Sequence, residues 1–117
     1  MTITRTATRH ATGLYTVEAS WVSCCHTLFL PSAMCPFSRN PVIGLVRLCY
    51  TARHRALEVV ALRAYLHAVA QPHVTAPRSV EALVVRIAAD AADAVGGAVS
   101  VQTWMLIRPW QLLSVRS

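Results

Sequence analysis

The chain has 117 residues, 55% of them apolar and 14% charged, and a net charge of +6 from eleven arginines, without lysine, against Glu18, Glu58, Glu81, Asp90 and Asp93. That length holds one small domain with a single core, and so little charge on so apolar a chain favours a homo-oligomer that buries apolar area between subunits. The arginines are scattered and not interleaved with aromatics in a block, which sets specific nucleic-acid binding behind phosphate-bearing small molecules as the anionic partner.

Residues 1–12 are polar and aperiodic and read as a flexible basic tail ahead of one domain at 13–117. From Leu14 to Leu30, threonine, valine, tryptophan and phenylalanine predict a long strand, bent near Ser23. Met34-Cys35-Pro36-Phe37-Ser38-Arg39-Asn40-Pro41 follows; its prolines fix the backbone on either side of three turn-forming residues, so it reads as a held turn. From Val42 to Tyr50 nearly every position is apolar, which predicts a strand covered on both faces.

Helical spacing begins near Ala56, with Leu57, Ala61, Ala64, Tyr65 and Ala68 on one stripe, and Gln71-Pro72 ends it. A second helix is expected from about Pro77, with Val80, Leu83, Val84, Ile87, Ala91 and Val95 on its apolar face and Gly96-Gly97 as its stop. Val99, Val101, Thr103, Met105 and Ile107 then point one way and Ser100, Gln102, Trp104, Leu106 and Arg108 the other, and Trp110 to Arg116 forms a last strand. Two hairpins separated by two successive helices give an α+β fold, an antiparallel four-stranded sheet with both helices on one face. The other face and the edges are left for a partner.

Cys24, Cys25, Cys35 and Cys49 lack zinc-ribbon spacing, and Met1 to Arg9 has no apolar leader core. The apolar run Trp21 to Met34 contains His26 and Pro31 and is too short to span a bilayer. The expectation is a cytoplasmic chain with reduced thiols and no membrane segment. Cys35, at the mouth of the held turn, reads either as a small buried hydrophobe or as a nucleophile.

The element order and the Cys35-Pro36-x-Ser38-x-x-Pro41 loop resemble the tunnelling-fold (T-fold) enzymes that act on purines and pterins, most closely the 7-cyano-7-deazaguanine reductases of queuosine biosynthesis. Glu58, Leu62 and Tyr65 fit the family's first-helix motif, Arg63 keeps its second positive charge, and Glu81 matches the glutamate that opens its second helix. The sequence departs from the pattern where Val42 replaces an aspartate, Val60 a lysine and Val80 a histidine, and where Arg108-Pro109-Trp110 stands for an Arg-Gly-Gly.

The resemblance implies a ββααββ subunit that oligomerises into a barrel with sites between subunits. It makes Cys35 the nucleophile that adds to a substrate nitrile, with NADPH as reductant. Ser38 would lie beside the substrate, and Glu58 and Arg63 would meet the cofactor, Arg63 through forked donors suited to phosphate. Glu81 would accept the paired N–H donors of a guanine-like ring, since a carboxylate offers two acceptors at matching separation. With Val42 in the proton donor's place, Ser38, water, His54 or His73 would have to protonate the nitrile nitrogen. A GTP cyclohydrolase-like hydrolase carrying zinc, and a catalytically lapsed subunit of a hetero-oligomer, are the alternatives. For zinc, only Cys25 or His26 could join Cys35 from one side of a strand.

Overall fold

A computed structural model describes residues 7–34, 41–70, 80–107 and 111–117. Its main element is an antiparallel four-stranded sheet of β3 (Val22–Met34), β4 (Pro41–Ala52), β6 (Ser100–Ile107) and β7 (Gln111–Arg116), ordered as the strands occur in the chain. Helices α1 (Val59–Ala70) and α2 (Val80–Val95) both fall between β4 and β6 and pack into one core with the sheet. The expected α+β arrangement, a four-stranded antiparallel sheet with its helices on one face, is therefore present. The sheet is open, with β3 and β7 at its edges.

β4 corrects one expectation, because only one of its faces is covered. Gly44, Val46, Leu48, Tyr50 and Ala52 are buried, while Arg47 and Thr51 are exposed and Leu45 and Cys49 lie between. A run of apolar residues looks the same in a strand covered on two faces or on one; Arg47 and Thr51, two positions of the same parity, marked the open side. Near the far end of β3, the ladder passes from Leu30 opposite Gly44 to Ala33 opposite Val42, a bulge containing Pro31. Proline brings no N–H to a ladder, and an edge strand is where that is tolerated.

A second sheet, absent from the expected plan, joins β1 (Thr8–Arg9), β2 (Tyr15–Glu18) and β5 (Arg55–Leu57) in the order β1-β2-β5. Part of the expected tail is thus a strand. Gly13, at φ 91°, makes the β1–β2 turn possible, and His10 accepts its N–H at 3.0 Å. The turn delivers Leu14 and Thr16 to the core. The single long strand expected over Leu14–Leu30 is in fact two, split where Trp21 takes φ 51° and the chain changes sheets. Ala19 donates to the His54 carbonyl at 3.0 Å across this corner, and the Arg53 guanidinium lies 5.7 Å from the Trp21 ring centre.

Pairing of β5 with β2 holds Arg55–Leu57 extended, so α1 begins later than its spacing predicts. Its buried stripe is Leu62, Tyr65, Leu66 and Val69, while Ala64 and Ala68 face outward. α2 buries Leu83, Val84, Ile87, Ala91 and Val95, as its period demands. It ends at Gly96, whose φ of 76° lets the N–H groups of Gly96 and Gly97 both reach the Ala92 carbonyl, at 2.9 and 3.2 Å. A side chain at Gly96 would also come within 3.0 Å of the Arg55 guanidinium.

Candidate functional site

The described residues expected to do chemistry are spread over several elements. Cys35 and Ser38 lie outside the described residues, in the segment after Met34 and before Pro41, the last pair of the β3–β4 ladder. Glu81 occupies the exposed first turn of α2 and, among the described residues, has no hydrogen-bond or ion-pair partner. Arg63 is likewise exposed on α1, so its guanidinium is available to an anion. Of the two histidines considered as proton sources, His54 is exposed at the β4–β5 corner and His73 is outside the described residues.

Glu58 is already engaged. One carboxylate oxygen accepts the N–H of Val60 at 3.0 Å and the other that of Ala61 at 2.7 Å, while its own backbone N–H donates to Tyr15. It caps α1, where free N–H groups and the positive end of the helix dipole both favour a carboxylate. The expected cofactor contact therefore has its two acceptors directed into its own helix. Tyr65, read as core, is buried and donates its hydroxyl to Asp90, with Arg86 3.7 Å from the same carboxylate. Burial first, and the bond to Asp90 second, hold the Tyr65 phenol well above its ordinary range.

The structure gathers a cluster not anticipated from the sequence. Cys24 and His26 sit two apart on the covered face of β3, and Tyr50 lies opposite Cys24 on β4. The Tyr50 hydroxyl accepts the Leu57 N–H at 2.8 Å and lies 2.9 Å from His26 Nε2, with the two rings stacked at 5.6 Å. Burial lowers the His26 pKa and raises that of Tyr50 to about 12. Both groups are therefore neutral at pH 7, and the arrangement anchors β5 to the sheet. The sequence signal was period two: residues 24, 26 and 28 share the inward face of β3.

Cys25 and Cys49 form a disulfide across the open face, with 4.2 Å between their Cα atoms. The expectation that the thiols are reduced is corrected for this pair. The reason is register, since direct opposition in the β3–β4 ladder brings the side chains together. Cys24 remains a free thiol. An open cleft of ≈ 650 Å³ beside the bridge is lined by Cys24, Tyr50, Ser100 and Ser117 among others. Among the described residues no three His, Cys, Asp or Glu side chains converge as a metal site, and no helix is long and apolar enough to cross a membrane.

Compared with known proteins, the chain matches no family model, and no curated protein is significantly similar to it.

Proposed function

We propose that the chain is a T-fold subunit that binds a guanine-like or pterin-like ring through Glu81, with Cys35 as the nucleophile toward a nitrile substituent of that ring. The observation that carries this reading is the strand order β3-β4-β6-β7 with both helices in the single crossover between β4 and β6. The Glu81 carboxylate, exposed and without a partner among the described residues, supports it, because two acceptors at a helix start are what a pair of ring N–H donors needs. Gly96 against Arg55 fixes the C-terminal end of α2 beside β5, and a helix of that length, about 24 Å, carries Glu81 well away from there.

In the proposed step the Cys35 thiolate forms a C–S bond to the nitrile carbon, and the nitrile nitrogen takes a proton, giving a thioimide. Ser38 follows the nucleophile after Pro36 and Phe37 and would orient the substrate. NADPH, where bound, supplies the hydride for reduction; Arg63 suits one of its phosphates, whereas Glu58 is spent on its cap. Edge-to-edge pairing through β3 and β7 would close subunits into a barrel, a homo-oligomer with sites between copies. A cytoplasmic setting goes with this chemistry.

A second reading, a catalytically lapsed subunit of a hetero-oligomer, is favoured by the valines at 42, 60 and 80 and by the capping role of Glu58. Intact-mass spectrometry after incubation with 7-cyano-7-deazaguanine separates the two. An adduct of one ligand mass on the parent and none on Cys35→Ala is the expected result, with Glu81→Gln slowing its formation. No adduct and no purine binding by calorimetry would overturn the enzyme reading and leave the lapsed subunit.

A further inference from the structure

We infer that the open face of the four-stranded sheet is a binding platform for single-stranded nucleic acid, with Phe29 and Trp104 stacking bases and Arg47 and Arg116 meeting phosphates. The inference does not depend on the ring site described above.

Register places these side chains together. Thr27, Arg47, Gln102 and Arg116 are successive partners across all four strands and form one row. Phe29, Leu45, Trp104 and Ser114 form the adjacent row. All eight point away from the helices, because Val46 and Thr103, between the pairs on β4 and β6, are fully buried, and Leu28 and Val115, between those on β3 and β7, pack against the core. Phe29 is 71% exposed, Arg47 and Arg116 are exposed, and Trp104 is partly so. A ring this open on a strand has no packing role in the single chain. Phe29 and Trp104 are two strands apart, about 10 Å at the usual strand spacing, with Leu45 as apolar floor between them.

Charge decides the occupant. None of the five acids lies in β3, β4, β6 or β7; they fall in β2, before α1 and in α2. Among the described residues the open face therefore presents the guanidinium groups of Arg47 and Arg116 with no acidic side chain between them. A second copy laid face to face would oppose arginine to arginine, whereas a phosphate backbone complements the row. Aromatic rings on the open face of an antiparallel sheet, flanked by cations and hydrogen-bonding side chains such as Gln102 and Thr27, are what unpaired bases stack on. A lipid surface shares the attraction to arginine and aromatics, but inserting this face would dehydrate Thr27, Gln102 and Ser114 without giving them partners.

The test is fluorescence anisotropy of the full chain with a labelled single-stranded oligonucleotide of mixed sequence, alongside a duplex of that sequence and anionic vesicles. Single strands should bind more tightly than duplex, with affinity falling as salt rises. Each of Arg47→Gln and Arg116→Gln should flatten the slope of log affinity against log salt by about 0.7. Phe29→Ala should weaken binding roughly 5- to 150-fold, the range for one lost base stack. Arg9→Gln, the same charge loss on the small sheet, should leave the affinity within about twofold of the parent if electrostatics act locally. These side chains are exposed, and unchanged circular dichroism verifies that each variant folds. No binding at low salt, equal binding by Phe29→Ala, or capture of vesicles without capture of the strand would overturn the inference.

Discussion

The hydroxyl of Tyr50 takes the backbone N–H of Leu57, seven residues further on, at 2.8 Å. This one bond fastens β5 to the end of β4 and sets the start of α1. Tyr50→Phe keeps the ring and strands a buried N–H, so the protein should lose roughly 1–3 kcal/mol. Urea denaturation monitored by tryptophan fluorescence measures it; an unchanged midpoint would show that the N–H finds another partner.

His26 gives the stability a pH dependence of known sign. Burial holds its folded pKa below 6.5, so between that lower value and 6.5 the unfolded chain binds the extra proton. The contribution of this residue is complete above 6.5 and is lost as pH falls toward the folded value. The Tm should therefore drop between about pH 7.5 and about pH 5.5, and His26→Gln should reduce that drop. A Tm that rises on acidification would contradict the assignment.

Glu58→Ala should cost about 0.5–2 kcal/mol by uncapping α1. Glu58→Gln, which keeps one acceptor oxygen and loses the charge, should recover part of it. If Glu58 also touched a cofactor, NADPH binding by calorimetry would weaken in both variants; capping alone predicts no change in the glutamine variant.

The Thr103 hydroxyl is fully buried and, among the described residues, has no hydrogen-bond partner. Thr103→Val replaces it with a methyl group of nearly the same shape and should raise stability by about 1 kcal/mol. A loss of stability by thermal denaturation would indicate that the hydroxyl is satisfied in solution.

Alkylation without reductant should label Cys24 and spare Cys25 and Cys49, and reduction should add that pair to the labelled set, read by intact mass with peptide mapping. The bridge closes a sequence separation of 24, so Cys49→Ser should cost about 3 kcal/mol on loop entropy. Equal labelling of all four without reductant would show the pair open.

Periodicity was enough to read α2 from the sequence, because Leu83, Val84, Ile87, Ala91 and Val95 repeat on one face and Gly96 stops it. The two hairpins of the larger sheet are legible for a similar reason, since each pairs strands that follow one another in the chain. What the sequence concealed depends on distant pairing. Nothing near Arg55 announces that Tyr15–Glu18 will hold it extended, so the helix was placed too early and its stripe one position off. Trp21 is not a residue type that marks a change of sheets, so the split at residues 19–21 was missed. Glu81 and Glu58 have the same sequence signature, an acid at the start of a helix, and only geometry shows that the Glu58 carboxylate is already taken. The cross-strand bridge was hidden because it requires the register of β3 on β4, which spacing alone leaves open.

The strand order has a kinetic consequence. β3 with β4, and β6 with β7, pair strands that follow one another in the chain, but the β4–β6 ladder must join segments separated by both helices and β5. Closing so long a loop is entropically uphill until that ladder and the helices begin to reward it. The seam from Ile43–Leu106 to Cys49–Ser100 should therefore limit the rate of folding, and destabilising substitutions along it should slow refolding more than those in the β3–β4 or β6–β7 ladder.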